Sequence, residues 1–432
     1  MKQLFKTSLG FSVVLSSLAT TVTAQTLEEV VVTAQKREQA ITDVSIAMNA
    51  FTAEDMRSFR VEDATDVAQL LSNIDIKGTL GGVNPAITVR GVGLNDFNAN
   101  NNPSVGVYID EVFLASPAML DARMFDVERV EVLKGPQGTL YGRNATGGAI
   151  NIINRRPTQE FEGYISGSYG DYDTVDVQGA VSGGLSASTA GRLAISYKNQ
   201  GESFHDNRLT GTDFGDLESL SGRATLSFDA SDSFRGDLSI HFGNVEGTNT
   251  PFSIFGLLDP SNPAELCAPA ANYQFDNAQC SDVFGIQETA DGDPYTHTFN
   301  PDEAAKYILD TDYTGGALRL EWDLGDWDLV SITGYESQDR VFGDNINSHP
   351  LQLSSITHDE DISQFSQELR LSGGSDSGPQ WIVGAFYSQD EFESENIFEA
   401  GDFSSPTCSG MLIRKPLPGH SSVASIFHSQ SA

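Results

Sequence analysis

Cysteine is almost missing from this chain: there are three, Cys267, Cys280 and Cys408, in 432 residues. No CxxC pair accompanies them, which excludes a structural zinc site. Long apolar runs are missing too. Beyond the N-terminal leader no stretch approaches the roughly 20 apolar residues of a membrane helix. Cations are scarce, with 25 Lys and Arg against 60 Asp and Glu and a net charge of -35. That balance excludes nucleic acid as a partner and otherwise reads as a solvated surface. The GxSxG, HExxH and P-loop patterns are absent. The histidines, at 205, 241, 297, 348, 358, 420 and 428, show no metal-ligand spacing and read as scattered loop residues. The adjacent carboxylates of "HDEDIS" also read as loop residues, with no candidate partner. No enzyme, metal or cofactor is expected.

What is present begins with a leader. Lys2 and Lys6 precede an apolar run, Leu9 to Leu18, and a small-residue site at Val22-Thr23-Ala24. This layout predicts a secretory signal peptide over 1–24. In an exported chain Cys267 and Cys280, which flank twelve residues of a Gly/Pro/Asn-rich region, predict a loop-closing disulfide. Directly after the leader stands "LEEVVVTAQKRE", a short β-prone run hemmed in by charge, with no second strand in view nearby.

The rest has two grammars. Residues 40–157 read as a mixed α/β globule. "TAEDMRSFRVEDATDVAQLLSNI" carries helix signals: Thr52 caps with Asp55, and Val67, Leu70 and Leu71 share a face. Apolar runs broken by glycine follow, the pattern of strands joined by tight turns. From Phe161 onward period-2 alternation takes over. Leu238, Ile240 and Phe242 stand opposite Asp237, Ser239 and His241; Leu318, Leu320 and Trp322 stand opposite Arg319, Glu321 and Asp323.

Such strands suit a soluble sandwich or a transmembrane barrel, and connection lengths decide between them. Nine strands are expected near 161–169, 174–183, 191–200, 219–229, 233–244, 316–324, 327–337, 363–372 and 380–389. After the first hairpin, short links alternate with long polar ones at 200–218, 245–315, 338–362 and from 390 onward. That asymmetry belongs to an outer-membrane barrel. Aromatics near strand ends (Tyr169, Phe204, Trp322, Trp327, Trp381, Tyr387) fit an interfacial girdle. The fold class is thus an N-terminal mixed α/β domain followed by an antiparallel transmembrane β-barrel. Nine is an odd count, and "ASIFHSQSA" reads as the start of a tenth strand. An open edge in a bilayer leaves backbone groups unsatisfied, so a fragment or truncated product is expected.

Taken together, these features resemble the TonB-dependent outer-membrane receptors. "LEEVVVTAQKRE" resembles the TonB box region. "TVRGVG", "VYIDEVF" and "VERVEVLKGPQGTLYGRNATGGAINIINRRP" resemble plug-domain signatures, and "SQELRLSG" with "WIVGAFY" a barrel hairpin. The implied domains are a signal peptide (1–24), the box and linker (25–39), a plug (40–157) and a partial barrel (158–432). The implied function is uptake of a scarce large solute, a ferric siderophore or similar iron complex, driven through TonB and its inner-membrane motor complex. A non-iron ligand (cobalamin, haem, a glycan) or a non-transporting surface barrel are the alternatives. Outer-membrane lipid and lipopolysaccharide are the implied surroundings.

The resemblance assigns residues as well. Leu27, Glu28, Glu29, Val30, Val31, Val32 and Thr33 would pair with TonB as an added strand, a reading their β-propensity supports. Arg90 and Lys134 would face barrel-wall carboxylates. Gly135, Gly138, Gly142, Gly147 and Gly148 would shape plug turns or serve as hinges. Ligand contact is expected at the plug loops 78–84 and 95–104. The second loop carries Asn95, Asp96, Phe97, Asn98, Asn100, Asn101 and Asn102: amides for a polar multi-oxygen ligand and one ring to stack on it.

Overall fold

In the computed structural model the described residues run from 30 to 400, apart from 62, 80–82, 95, 97, 121–122, 208–210, 251–255, 275–278, 283–284, 286, 288–295, 298–306, 345–353 and 375–378. The expected signal peptide, Leu27 to Glu29, Asn95, Phe97, Cys408 and the start of a tenth strand lie outside them. The chain divides into two units after Val44.

The first unit contains a small antiparallel hairpin. β1 (Val31–Val32) pairs with β2 (Gln39–Ala40), Val31 opposite Ala40 and Val32 opposite Gln39. Lys36 takes a left-handed φ of 60°, and its N–H donates to the Thr33 carbonyl to close the turn. The β-prone valines do have a neighbouring strand, then, contrary to expectation. Gln39 and Ala40 have little β-propensity of their own, and the turn brings them alongside.

The second unit opens with β3 (Met48–Thr52), α1 (Ala53–Phe59) and α2 (Ala64–Leu70). Both helices start at reciprocal capping boxes, Thr52 with Asp55 and Asp63 with Asp66. The break between them falls at Arg60, whose φ is 53°. Val67 is buried, but Leu70 is 40 % exposed and Leu71 is the extended C-cap, so the expected three-residue face is only partly formed.

There follow β4 (Ile74–Thr79), β5 (Asn84–Val89) and β6 (Val92–Gly93), which form one small sheet. β7 (Val105–Ile109), β8 (Val112–Leu114), β9 (Val127–Lys134), α3 (Gly138–Tyr141) and β10 (Gly148–Asn154) complete the domain. The five-stranded sheet runs β3-β9-β10-β7-β8, with only β10 and β7 parallel. Its core is β-branched: Val105, Val107, Val130, Val132, Ile150 and Ile152 are each under 2 % exposed. In the central strand β9 the buried Val130 and Val132 flank Glu131, which is itself fully buried and accepts from Arg129 Nε at 2.8 Å.

The remaining elements are β11 (Glu162–Gly170), β12 (Thr174–Ser186), β13 (Thr189–Gln200), β14 (His205–Asn207), β15 (Thr212–Phe214), β16 (Leu217–Ser231), β17 (Phe234–Thr248), β18 (Leu258–Asp259), β19 (Asn262–Leu266), α4 (Ala268–Ala271), β20 (Thr296–His297), β21 (Ile308–Asp323), β22 (Trp327–Asp344), β23 (Ser354–Gly373) and β24 (Trp381–Ala400). Nine of them form one antiparallel sheet, β11-β12-β13-β16-β17-β21-β22-β23-β24. Among the described residues β11 and β24 are its edges, and the sheet does not close.

The nine strands stand in the expected order, but several reach much further toward the long loops. β22 continues to Asp344 and β24 to Ala400, and β23 begins at Ser354. "HDEDIS" is therefore strand, not loop, and Glu360 within it does have a partner, Arg340, at 2.5 Å. His205, His241 and His358 also lie on strands rather than in loops.

Polarity across this sheet is inverted relative to a soluble protein. Outward Ile165, Leu193, Ile240, Phe242 and Val383 are 58–84 % exposed, while inward Arg192, Arg223, Glu336, Gln338 and Gln364 are buried. Trp322 stacks on Phe234 at 4.9 Å, and Trp327 meets Trp381 at 6.3 Å, near the short-turn end. Past the apolar band toward the long loops the outward face turns acidic. Asp312, Asp339, Asp361 and Glu393 lie directly opposite one another across four strands. Cys267 and Cys280 are joined as expected from their spacing, with Cα atoms 5.5 Å apart.

Candidate functional site

Among the described residues, inward-facing strand positions hold the N-terminal α/β domain against the sheet. Gly334 on β22 lets Val112 approach: a Cβ there would meet Val112 Cγ1 at 2.7 Å, closer than real contacts allow. Beside it Gln364 of β23 grips the edge strand β8 in both directions. Its Nε2 donates to the Phe113 carbonyl at 2.5 Å, and its Oε1 accepts from the Ala115 N–H at 2.6 Å. Gln338 Nε2 similarly donates to the Ala118 carbonyl at 3.1 Å. An amide carries donor and acceptor together, so one glutamine completes an unpaired strand edge.

Charged pairs surround these amide contacts. Arg192 binds Asp126 bidentately, at 2.6 and 2.7 Å. Arg123 Nη1 reaches Glu336 Oε2 at 2.5 Å and His241 Nε2 at 3.2 Å, its guanidinium 4.4 Å over the Tyr313 ring. Arg143 pairs with Asp390 at 2.5 Å where both are partly exposed. The β7–β8 turn supplies another: Asp110 and Glu111 are both left-handed, φ 48° and 69°. Such two-residue turns favour Asp-Gly. The second position here is a glutamate, and its carboxylate meets Arg370 at 2.9 Å and Arg319 at 3.4 Å. Asp110 meanwhile accepts from the Asn154 backbone and side chain at 2.9 and 2.7 Å.

Arg90 and Lys134 do not join this set. The Lys134 ammonium donates to the Ser72 carbonyl at 3.0 Å, within the N-terminal domain. Burial, and then Arg90 beside it, pulls its pKa below the usual lysine value. Among the described residues neither cation pairs with a carboxylate of the nine-strand sheet. The cause is placement: both sit next to a second cation and the β4 entry, not at the sheet. Gly135 and Gly142 are left-handed, φ 104° and 72°, and Gly147 lies 2.8 Å (to an added Cβ) from the Val92 carbonyl, whereas Gly138 has open space. Turn and packing demands thus account for several of these glycines.

At the long-loop end Arg340 on β22 bonds Glu360 and reaches across to the 78–84 loop, donating to Asn84 Oδ1 at 2.7 Å and the Val83 carbonyl at 3.3 Å. Asn84 also lines a cavity of about 30 Å³ whose wall includes Asp96, Asn98, Asn101 and Ser116. Asn98 donates twice to Asp96 Oδ1, at 3.0 Å each. Asn101 Nδ2 is buried with no hydrogen-bond partner. Asn100 is exposed outside this cavity, and Asn102 accepts from Asn144 at 3.3 Å. Of the amide-rich loop, then, Asp96, Asn98 and Asn101 converge, at the end of the domain facing the long loops.

Sequence reasoning missed Glu111, Arg123, Asp126, Glu336, Arg340 and Gln364. A signal existed for some: Glu336, Gln338 and Arg340 recur at every second position of one strand.

Comparison with known proteins bears on the same architecture. The family model for the TonB-dependent receptor plug domain matches residues 40–149. The pesticin receptor of Yersinia pestis is 32 % identical over 177 residues, 40 % of this chain and 26 % of that receptor. The ferripyoverdine receptor of Pseudomonas aeruginosa is 30 % identical over 200 residues, 45 % of this chain and 23 % of the receptor. Among solved structures, the ferric yersiniabactin uptake receptor of Yersinia pestis superposes with a TM-score of 0.64 at 20 % identity, over 82 % of this chain and 50 % of that one. The chain thus spans about half the length of the solved receptor, and the matched stretch about a quarter of these curated relatives.

Proposed function

The chain belongs to the TonB-dependent outer-membrane receptors, and from that premise we propose that it serves the import of a ferric siderophore or similar iron complex into the periplasm. The observation that carries this reading is the small polar cavity at the plug apex, where Asp96, Asn98 and the unpartnered Asn101 amide face the long-loop end. Amide donors and acceptors suit an oxygen-rich chelate. The names of the relatives, receptors for ferripyoverdine and ferric yersiniabactin, support the same substrate class.

In this reading the outward apolar band sits in the outer membrane, with lipid and lipopolysaccharide around it, and residues 27–33 hand the plug to TonB and its inner-membrane motor complex. The family consists of transport receptors, and we assign no catalysis. The test is growth of a strain that depends on the full-length receptor, fed a panel of ferric siderophores, haem, cobalamin and glycans. Growth restored by at least one ferric chelate is expected. Growth on cobalamin or a glycan alone overturns the iron reading and keeps the transporter. Alanine at Asn100–Asn102, or at Phe97, should weaken chelate binding by about 1–3 kcal/mol if these groups touch it.

A further inference from the structure

We infer that His241 is the exchange partner of the plug seat: it accepts a hydrogen bond from Arg123 while the plug is seated, and donates one to Glu336 once Arg123 withdraws. The inference rests on the plug movement that the proposed uptake requires. Three atoms carry it. Glu336 Oε2 lies 2.5 Å from Arg123 Nη1 and 2.9 Å from His241 Nε2, and those two nitrogens are 3.2 Å apart. An uncharged ring nitrogen either donates or accepts, and a guanidinium only donates. Nε2 therefore cannot serve Arg123 and Glu336 in one tautomer. Arg123 Nη1 carries two hydrogens, enough for Glu336 and for the Nε2 lone pair together. The charges facing the ring are already balanced. Arg123 and Arg223, its neighbour on β16, stand against Glu336 and Asp110 around one small cavity, with the Tyr313 ring 6.3 Å away. In the seated arrangement the ring proton accordingly stands on Nδ1.

The fold opens a path for this contact. His241 on β17 and Glu336 on β22 are separated by β21, a gap of about 9–10 Å at the usual strand spacing. In register, Gly315 stands between them. A Cβ there would come within 2.7 Å of His241 Nε2 and closer still to Glu336 Oε2, so any side chain would part them. Arg123 and Glu336 alone need no such opening. What it serves is a link between two wall residues that persists without the plug. A buried carboxylate that loses its only donor is strongly destabilised. With His241 beside it, Glu336 passes from one donor to another instead. His241 is thus a positioning residue that eases release of the plug without weakening the seat beforehand.

The test is solid-state nitrogen NMR of the full-length receptor in lipid, labelled at histidine, with the His241 signals identified by their loss in His241→Gln. Wild type should carry the lone pair on Nε2, and Arg123→Met should move the proton there. The same tautomer in both overturns the inference. Hydrogen exchange of the plug gives a second reading that needs no spectral assignment. Adding His241→Leu to Arg123→Met should speed exchange at the β7 and β8 amides about tenfold, because Glu336 then has no donor left. His241→Gln in the same background, whose amide also donates, should hold the rate within about threefold. Equal rates with leucine and glutamine sink the idea, since His241 would then act only as a spacer. Neither measurement involves a transported solute. Failure of every chelate to support growth would therefore remove the uptake reading and leave the tautomer result standing.

Discussion

Arg123 of the plug and Glu336 of the barrel wall meet at 2.5 Å with side chains only 4 % and 5 % exposed. The pair is dry, and so its two halves are not equivalent to its sum. Glu336→Gln leaves the buried Arg123 without its carboxylate and should cost about 3–5 kcal/mol of plug seating, whereas Arg123→Met should cost less, because Glu336 keeps His241 Nε2 at 2.9 Å. Replacing both with apolar residues should recover most of that loss. Denaturant unfolding of the full-length receptor with a probe on the plug measures it. Equal stability of single and double variants would show that water already reaches the pair.

Gln364 offers a neutral counterpart. Gln364→Leu leaves the Ala115 N–H and the Phe113 carbonyl without the partners they now have. The expected cost is about 1–3 kcal/mol. Faster hydrogen exchange at the Ala115 amide, confined to β8 and its flank, is the signature; an unchanged rate would mean the amide is protected by something other than this side chain.

Glu111 combines an unfavourable backbone with a favourable charge. Its left-handed φ costs a non-glycine residue about 1–2 kcal/mol. Glu111→Gly relieves that cost and loses the contacts to Arg319 and Arg370; Glu111→Gln keeps the backbone cost and loses only the charge. The glycine variant should melt higher than the glutamine variant. The reverse order would show that the amide still bridges the arginines well enough to outweigh the turn.

Alkaline pH should loosen the plug through Tyr108 and Tyr141. Burial pushes both phenols far above the ordinary tyrosine value. The unfolded chain releases these protons from about pH 10, while the folded plug retains them. Stability from this source is therefore complete below about pH 10 and falls as pH climbs above it. Tyr108→Phe should flatten that fall, at a cost of about 1 kcal/mol for the lost bond to the Tyr141 carbonyl. Unfolding free energy measured between pH 8 and 11 decides it, and a slope equal to wild type would exclude Tyr108 as its source.

How much of this was legible follows from what each segment has to satisfy. The strands were visible where one face meets lipid and the other the plug, because Leu238, Ile240 and Phe242 must then alternate with Asp237, Ser239 and His241. Beyond the apolar band both faces are wet. Outward Asp339 and Asp361 stand beside inward Gln338 and Glu360, the alternation vanishes, and real strand looks like loop. The capping boxes were half legible: Thr52 with Asp55 was seen, Asp63 with Asp66 was not. β2 was invisible because two residues held by a turn carry no pattern. The plug–barrel contacts depend on which inward residue meets which plug carbonyl, and that is set by tertiary register. The apex loop was legible as amide-rich, but not that Asn101 turns inward while Asn100 faces out.

The strand extensions have a consequence for where the protein sits. A barrel strand crosses hydrocarbon in about 9–11 residues, yet β23 and β24 each have 20. At ~3.3 Å per residue the surplus is roughly 30 Å along the strand, less once tilt is allowed for. The four opposed carboxylates at the foot of that extension cannot sink into the bilayer, so they act as a waterline. Above it stands an ordered parapet rather than a fringe of loose loops. Strand pairing therefore continues well past the level at which the outward face can meet hydrocarbon.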